Sequence, residues 1–372
     1  TANSLHVGSL LQIMVLRLLQ KNGHRPIVLL GGGTTLIGDP SGKDTTRKIL
    51  KQNEIKKNIS SIKNIFKLLL DFKNKKTQPI FVDNYTWLGK LKYINFLRDV
   101  GSHFTINKML SFDSIKLRLE REQSLSYMEF NYMILQAYDF LQLFKKYNCV
   151  VQLGGSDQWG NIVSGIDLIR RIEKKEVFGL TTPLITSSSG AKMGKTEKGA
   201  IWLNKKLFSP YDYWQFWRNT EDKDVVRFLK YFTEIKTSKL DMIIKEEKNI
   251  NNLKILLANE ATKILHGNKS SMESQKTARD TFELGKASKN LPEIKINYSE
   301  VNKGLSILEL LSRNNILPSK SEARRAIKNN GIKINDIIIE DEQKIINLND
   351  FKNEKFIKLS FGKKRHFLLK II

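Results

Sequence analysis

The chain has 372 residues, 40% of them hydrophobic, and a formal net charge of +25. That length permits two or three domains with buried cores, and no uninterrupted apolar run approaches the span of a bilayer, residues 10–19 being broken by Gln12 and Arg17. A single cysteine, Cys149, excludes a disulfide framework and favours a reducing compartment; the basic excess points to a polyanionic partner, although part of it follows the general Lys, Asn and Ile bias.

Residues 7–20 read as an amphipathic helix ending at "KNGHRP", where Gly23 suits a left-handed cap and Pro26 blocks continuation. "IVLLGGG" (27–33) is a buried strand entering a glycine turn, and "PIFVDN" (79–84) and "CVVQLGG" (149–155) are two more. Strands separated by helices predict an α/β fold with a parallel, helix-wrapped sheet, in which ligands gather at the C-terminal strand ends. From Tyr211 to about Lys289 the pattern is helical and charged, and "LPEIKINYSEVNKG" (291–304) reads as a linker. A last unit from about Leu305 carries two helices, the second opened by Ser319, then short strands with polar turns.

Four stretches carry chemistry. "GGGTTLIGDPSGKDT" invites a phosphate-loop reading, but that pattern needs Gly at Ile37 and Ser or Thr at Asp44, so it fails twice. In "FNYMILQAYDF", Tyr132, Gln136 and Asp139 fall at i, i+4 and i+7, a polar stripe on one helix face. Such groups, if buried, need partners that a polar ligand can supply; an exposed helix face is the plainer alternative. "LGGSDQWGN" follows a strand and offers Asp157 and Gln158 at a strand end, where an acid suits ribose hydroxyls and an ordinary turn is the alternative. "SSSGAKMGKTEKGAIWLN" sets Lys192 and Lys195 around Gly194 in a small-residue loop suited to a polyphosphate, or simply to solvent. His6, His24, His103, His266 and His366 are scattered, and no metal-ligand spacing is readable.

Taken together, "HVGS" at a helix start and the later "KMGKT" resemble the H-I-G-H and K-M-S-K-S signatures of class I aminoacyl-tRNA synthetases. With "GDPSGK", "YMILQAYD", "GGSDQWGN" and "KMGKTEKGAIWL" in this order, nearly the whole chain resembles the bacterial-type tyrosyl-tRNA synthetases. The resemblance implies a Rossmann-like parallel-sheet catalytic domain over 1–212 with a helical insertion at about 71–147. It further implies an α-helical anticodon-side domain over 213–290, a linker over 291–304 and a small α+β alpha-L type RNA-binding domain over 305–372.

It also implies roles. His6, Lys192 and Lys195 act on the ATP phosphates, with Thr1, Gly8, Ser9, Gly155, Asp157 and Thr196 completing the ATP site. Asp39, Tyr132 and Gln136 cradle the tyrosine ammonium, Gln158 lies near its carboxylate, and Asp139 accepts from its phenol. Lys43 and Arg47 face pyrophosphate; Arg324, Arg325, Lys328, Lys363, Lys364 and Arg365 face RNA. The implied partners are L-tyrosine, ATP with Mg2+, and tRNA(Tyr), in a cytoplasmic homodimer with no tightly bound cofactor, no protein-held metal and no membrane contact. Ser9 departs from the second histidine of the first signature, and Gly194 replaces the serine of the second, which predicts a looser lysine loop. The family also places a strand ahead of Thr1, ending in a Tyr-x-Gly-x-Asp-Pro-Thr stretch of which only the threonine, Thr1, is in this sequence. The expectation is therefore a sheet one strand short and weak adenylate formation from this chain alone. Two other readings remain: a tryptophanyl-tRNA synthetase, disfavoured by "GDPSGK" and "YMILQAYD", and a synthetase-derived RNA-binding protein without catalysis, disfavoured by His6, Lys192 and Lys195.

Overall fold

The computed structural model describes residues 2–38, 50–190, 193–196, 199–282, 291–314, 316–351, 356–362 and 365–372, with the backbone alone at 113, 114, 117, 195, 196, 281 and 282. Contacts divide the chain into two units, Thr1–Leu207 and Phe208–Ile372.

In the first unit a 3-10 turn, Val7–Ser9, runs straight into α1 (Leu10–Lys21), and Gly23 takes the left-handed cap at φ 91°. Next come β1 (Ile27–Leu30), α2 (Thr34–Ile37), α3 (Gln52–Leu69) and β2 (Ile80–Asp83). β1 and β2 pair in parallel, Leu30 opposite Asp83, and α3 buries Ile55, Ile59 and Ile62 against Val28 and Leu30. Six helices follow: α4 (Tyr85–Leu88), α5 (Tyr93–Asp99), α6 (Ile106–Leu110), α7 (Asp113–Glu120), α8 (Tyr127–Phe130) and α9 (Tyr132–Tyr147). β3 (Val151–Gly155), α10 (Trp159–Glu173) and β4 (Phe178–Thr182) close a second parallel pair, Gly155 opposite Thr182. Gly165 lets α10 approach α9, since a Cβ there would sit 2.9 Å from the Phe140 ring. A short hairpin, β5 (Lys195–Thr196) and β6 (Gly199–Ala200), ends the unit.

All three strands read from the sequence are present. Among the described residues the sheet is realised as two separate parallel pairs. The fourth strand, β4, is half polar and mostly exposed or half-buried, so its sequence carries little strand signal. The inserted helices begin at Tyr85; residues 71–79, assigned to the insertion from sequence, lead instead into β2.

The second unit opens with α11 (Pro210–Arg218), α12 (Asp222–Phe232), α13 (Thr237–Glu246) and α14 (Ile250–Phe282), the last broken at Gly267, φ 85°. Edge-to-face rings of Tyr213, Trp217 and Phe228 fill the space between them. The chain continues through β7 (Glu293–Ile296), α15 (Tyr298–Lys303), β8 (Leu305–Ser306), α16 (Ile307–Arg313) and α17 (Lys320–Lys328). It ends in β9 (Ile332–Ile334), β10 (Ile337–Ile338), β11 (Ile345–Ile346), β12 (Phe356–Phe361) and β13 (Arg365–Ile371). The resulting sheet has the order β10-β9-β12-β13-β7. Residues 291–304 are thus not a linker: Ile294 and Ile296 alternate inward from β7 into the terminal core, and Val301 joins them from α15. The turn between β9 and β10 holds Asn335 and Asp336 at positive φ, which these residue types tolerate. No described helix is long and apolar enough to cross a membrane.

A candidate active site at the strand ends of the first unit

His6 caps the Val7–Ser9 turn, its Nδ1 accepting from the Gly8 N–H at 3.0 Å. An accepting Nδ1 puts the proton of the neutral ring on Nε2, so the imidazole has a donor edge. The helix start offers fewer open N–H groups than its sequence suggests: Val7 N–H donates to Ile201 O at 2.9 Å and Ser9 N–H to His6 O at 2.9 Å. The first of these bonds belongs to a backbone zipper. Leu203 N–H donates to Leu5 O, Ile201 N–H to Gly194 O and Met193 N–H to Ile185 O, and His6 bridges Trp202. The segment around His6 is thereby locked to the segment around the lysine loop.

Gly8 and Gly194 meet at this lock. A Cβ on Gly8 would lie 2.7 Å from Met193 O and from the His6 ring; one on Gly194 would lie 2.7 Å from the Gly8 nitrogen. Gly194 also sits at φ 87°, where only glycine is unstrained. This glycine allows two backbones to touch. The side chains of Lys195 and Thr196, and the whole of Thr1, Asp39, Lys43, Arg47 and Lys192, lie outside the described residues.

The α9 stripe forms the second wall. Ser126 and Glu129 make a capping box at the start of α8, and a buried Arg118–Glu129 ion pair, 3.3 Å, braces the approach to Tyr132. Burial pushes the Glu129 carboxyl up, but the Ser126 N–H and hydroxyl and Arg118 outweigh it and hold it below its ordinary value. Tyr132 and Gln136 are half-buried; Asp139 is 2% exposed. Asp139 accepts from Asn84 Nδ2 at 2.8 Å and Trp87 Nε1 at 2.7 Å. Asn84 in turn accepts from the Gly33 N–H at 2.7 Å, tying the glycine turn to the stripe. Burial pushes the Asp139 carboxyl up to about 7; the charge of Asp83 adds to this, and the two hydrogen bonds oppose it. Each carboxylate oxygen retains a second acceptor site for a ligand hydroxyl.

The third wall is the end of β3. Gly155 is buried, Asp157 is exposed, and Gln158 Nε2 reaches Asp157 Oδ2 at 3.5 Å. Asn161 joins Gln136 to Gln158. Gln12 of α1 donates to Thr182 Oγ1 at 2.8 Å, and Thr182 lies opposite Gly155, so the first wall is fastened to the third. Three walls from distant parts of the chain therefore converge: a histidine donor edge, a buried carboxylate, and an exposed acid at a strand end. They can hold a small polar molecule beside an anionic one. Among the described residues no group of three His, Cys, Asp or Glu could hold a metal ion.

Asn84, Trp87, Asn161 and Gln12 were not read from the sequence as site residues. The signal for two of them was available, since "DNYTW" begins at the C-terminal end of a strand, where α/β sheets place ligands. In the second unit Arg324, Arg325 and Lys328 stand exposed on α17, with Arg324 3.9 Å from Glu342. Arg365 differs: its guanidinium lies between the rings of Phe361 and Phe367 and donates to Ile316 O at 2.6 Å. Lys363 and Lys364 lie outside the described residues.

Comparison with known proteins adds the following. The family "tRNA synthetases class I (W and Y)" matches residues 1–283, and the family "Tyrosine--tRNA ligase SYY-like C-terminal domain" matches residues 283–369. A tyrosine–tRNA ligase of Pelagibacter ubique is 62% identical over all 372 residues of this chain and 90% of its own length. Those of Rickettsia massiliae and Bartonella quintana are each 54% identical, with all of this chain and 90% and 89% of their lengths covered. A C-terminally truncated mitochondrial tyrosyl-tRNA synthetase of Aspergillus nidulans superposes with a TM-score of 0.68 at 31% identity, covering 76% of this chain and 83% of that one. The fold is shared with a tyrosyl-tRNA synthetase of Archaeoglobus fulgidus, TM-score 0.54 at 16% identity, over 73% of this chain and 87% of that one.

Proposed function

From the premise that the chain belongs to the class I tRNA synthetases of the tryptophan and tyrosine type, and among them is a tyrosine–tRNA ligase, we propose how its residues divide the work. The reaction has two steps. A carboxylate oxygen of tyrosine attacks the α-phosphorus of ATP, the α–β phosphoanhydride bond breaks, and pyrophosphate leaves. The terminal ribose hydroxyl of tRNA then attacks the tyrosyl carbonyl, and AMP leaves. ATP is a substrate, and Mg2+ enters with it on its phosphates.

His6 donates from Nε2 to the ATP phosphates as charge moves toward pyrophosphate, and Lys192 and Lys195 close over the same phosphates, with Thr196 assisting. Gly8 gives the nucleotide close approach, Ser9 and Thr1 flank it, and Asp157 beside Gly155 takes the ribose hydroxyls. Lys43 and Arg47 face the leaving pyrophosphate. Asp39, Tyr132 and Gln136 hold the tyrosine ammonium and Gln158 its carboxylate, while Asp139 accepts a hydrogen bond from the phenol hydroxyl. Rate then comes from positioning and preset charge. The observation that carries this reading is the lock between His6–Gly8 and Met193–Gly194, which puts the two signatures at one point.

Tyrosine-dependent ATP–pyrophosphate exchange tests it. Asp139→Ala should erode discrimination against phenylalanine by on the order of 10–100-fold, since an unmet buried polar group costs about 1–3 kcal/mol. Unchanged selectivity would remove Asp139 from the phenol site.

In the second unit we assign tRNA contact to the exposed Arg324, Arg325 and Lys328 together with Lys363 and Lys364; the half-buried Arg365 supports that surface from within. The helices of 208–282 form the anticodon-side domain, and the RNA-binding module begins at residue 291. A homodimer fits the exposed Ile94, Ile106 and Tyr127 of the inserted helices, 72%, 64% and 65% exposed. A cytoplasmic location fits the bacterial relatives.

A further inference from the structure

Asn161 stands in the first turn of α10, 5% exposed, and its Nδ2 donates to two side chains at once: Gln136 Oε1 at 3.0 Å and Gln158 Oε1 at 3.2 Å. A primary amide has two N–H bonds, and both are used here. The chain of amides continues to Asp157: Gln158 turns Nε2 toward Asp157 Oδ2 at 3.5 Å, a long contact, and Oε1 toward Asn161. Asn161 must then present its Nδ2, and Gln136 must answer with its oxygen. An amide on α9 is thus linked to an exposed acid at the end of β3 through two intervening amides. Gly154 makes room for this arrangement: a Cβ there would come within 3.1 Å of the Gln158 side chain.

We propose that Asn161 is a positioning residue that couples the nucleotide side of the site, at Asp157, to the tyrosine side, at Gln136. The proposal rests on the assignment of Gln136 and Gln158 to tyrosine made above. With Asn161 in place the two glutamines are held as one unit, and a ribose gripped by Asp157 holds the tyrosine-binding amides in register. Without it each amide turns on its own, and a misplacement of about 1 Å at reacting groups costs on the order of 10²-fold.

The test is tyrosine-dependent pyrophosphate exchange on Asn161→Ala and Asn161→Asp, with a Gln136→Ala and Gln158→Ala double-mutant cycle in the wild-type and Asn161→Ala backgrounds. Measured below each variant's melting transition, both Asn161 variants should lose about 10–100-fold in kcat/KM for tyrosine while tRNA affinity stays near wild type. In the wild-type background the two glutamine changes should combine to less than the product of their separate effects; in the Asn161→Ala background they should multiply. Multiplicative effects in the wild-type background would overturn the proposal even if Asn161→Ala failed to fold. So would Asn161 variants that melt earlier with unchanged kinetics. Glutamine single variants that leave tyrosine kinetics untouched would instead overturn the assignment of those residues to tyrosine.

Discussion

Asp139 shows how far a single residue could be read in advance. Its place in a polar stripe follows from helical spacing, but its state does not. Its partners Asn84 and Trp87 lie 55 and 52 residues away in sequence, and no local pattern links them. The folded carboxyl titrates near 7 where an unfolded aspartate titrates near 4. Between those values the folded state binds the extra proton, so this residue's contribution to stability falls as pH rises from about 4 to 7 and is flat above. On the role proposed for Asp139, tyrosine activation runs the other way, because a phenol donor wants the ionised acceptor. From pH 8 to 6, kcat/KM for tyrosine should fall through an apparent pKa near 7, approaching tenfold per unit on the acid side, and Asp139→Asn should flatten that limb in steady-state exchange. The glycines give a second residue-scale expectation. Gly8→Ala drives a methyl into Met193 O, and Gly194→Ala or Gly194→Ser adds the cost of positive φ, about 1–2 kcal/mol. Each should lower exchange with ATP by about 10²-fold with little change in tyrosine affinity by equilibrium dialysis. The sequence shows that serine is replaced at 194; only the facing backbone of Gly8 shows why.

At the scale of elements, punctuation was legible and polarity misled. Ser319 opens α17 as its sequence indicates, accepting from the Glu322 N–H, and Gly23 closes α1. Residues 291–304 look like a linker because charged and polar residues are interspersed among few apolar ones, yet the alternation of Ile294 and Ile296 is the pattern of a strand with one buried face. β4 carries little signal because it is short and its one apolar face, Phe178 and Leu180, is followed by two threonines and stays exposed. α17 carries its own expectation. Reversing charge at Arg324 and Arg325 should weaken tRNA binding by about tenfold or more and flatten its dependence on salt, while pyrophosphate exchange stays unchanged. Filter binding across a salt series checks this; equal loss of both activities would mean the fold had failed. Within the same module the buried Lys358 ammonium meets Asp336 at 2.9 Å, so Asp336→Ala should destabilise the terminal sheet by about 1–3 kcal/mol in chemical denaturation.

Over the whole molecule, the family and many candidate site residues could be read from motifs strung along the chain, whereas the bonds that join them could not, because they pair residues remote in sequence. Val7 bonds to Ile201, Leu5 to Leu203 and Gln12 to Thr182. A fragment ending at residue 190 would keep α9, Asn84, Asp139 and Asn161 but lack every partner of the His6 segment beyond that point. It should still bind tyrosine in equilibrium dialysis and give no pyrophosphate exchange. The zipper between these two segments also has a meaning in time. Closing so long a loop is among the slowest events in folding, since its entropy is lost before its contacts form. On the ribosome the His6 segment emerges well before residues 201–203 and cannot complete the zipper until Leu203 has cleared the exit tunnel. On the proposed roles, a chain released only as far as residue 190 lacks the lock and should be inactive, and refolding from denaturant should regain the fluorescence of Trp87 before it regains catalysis.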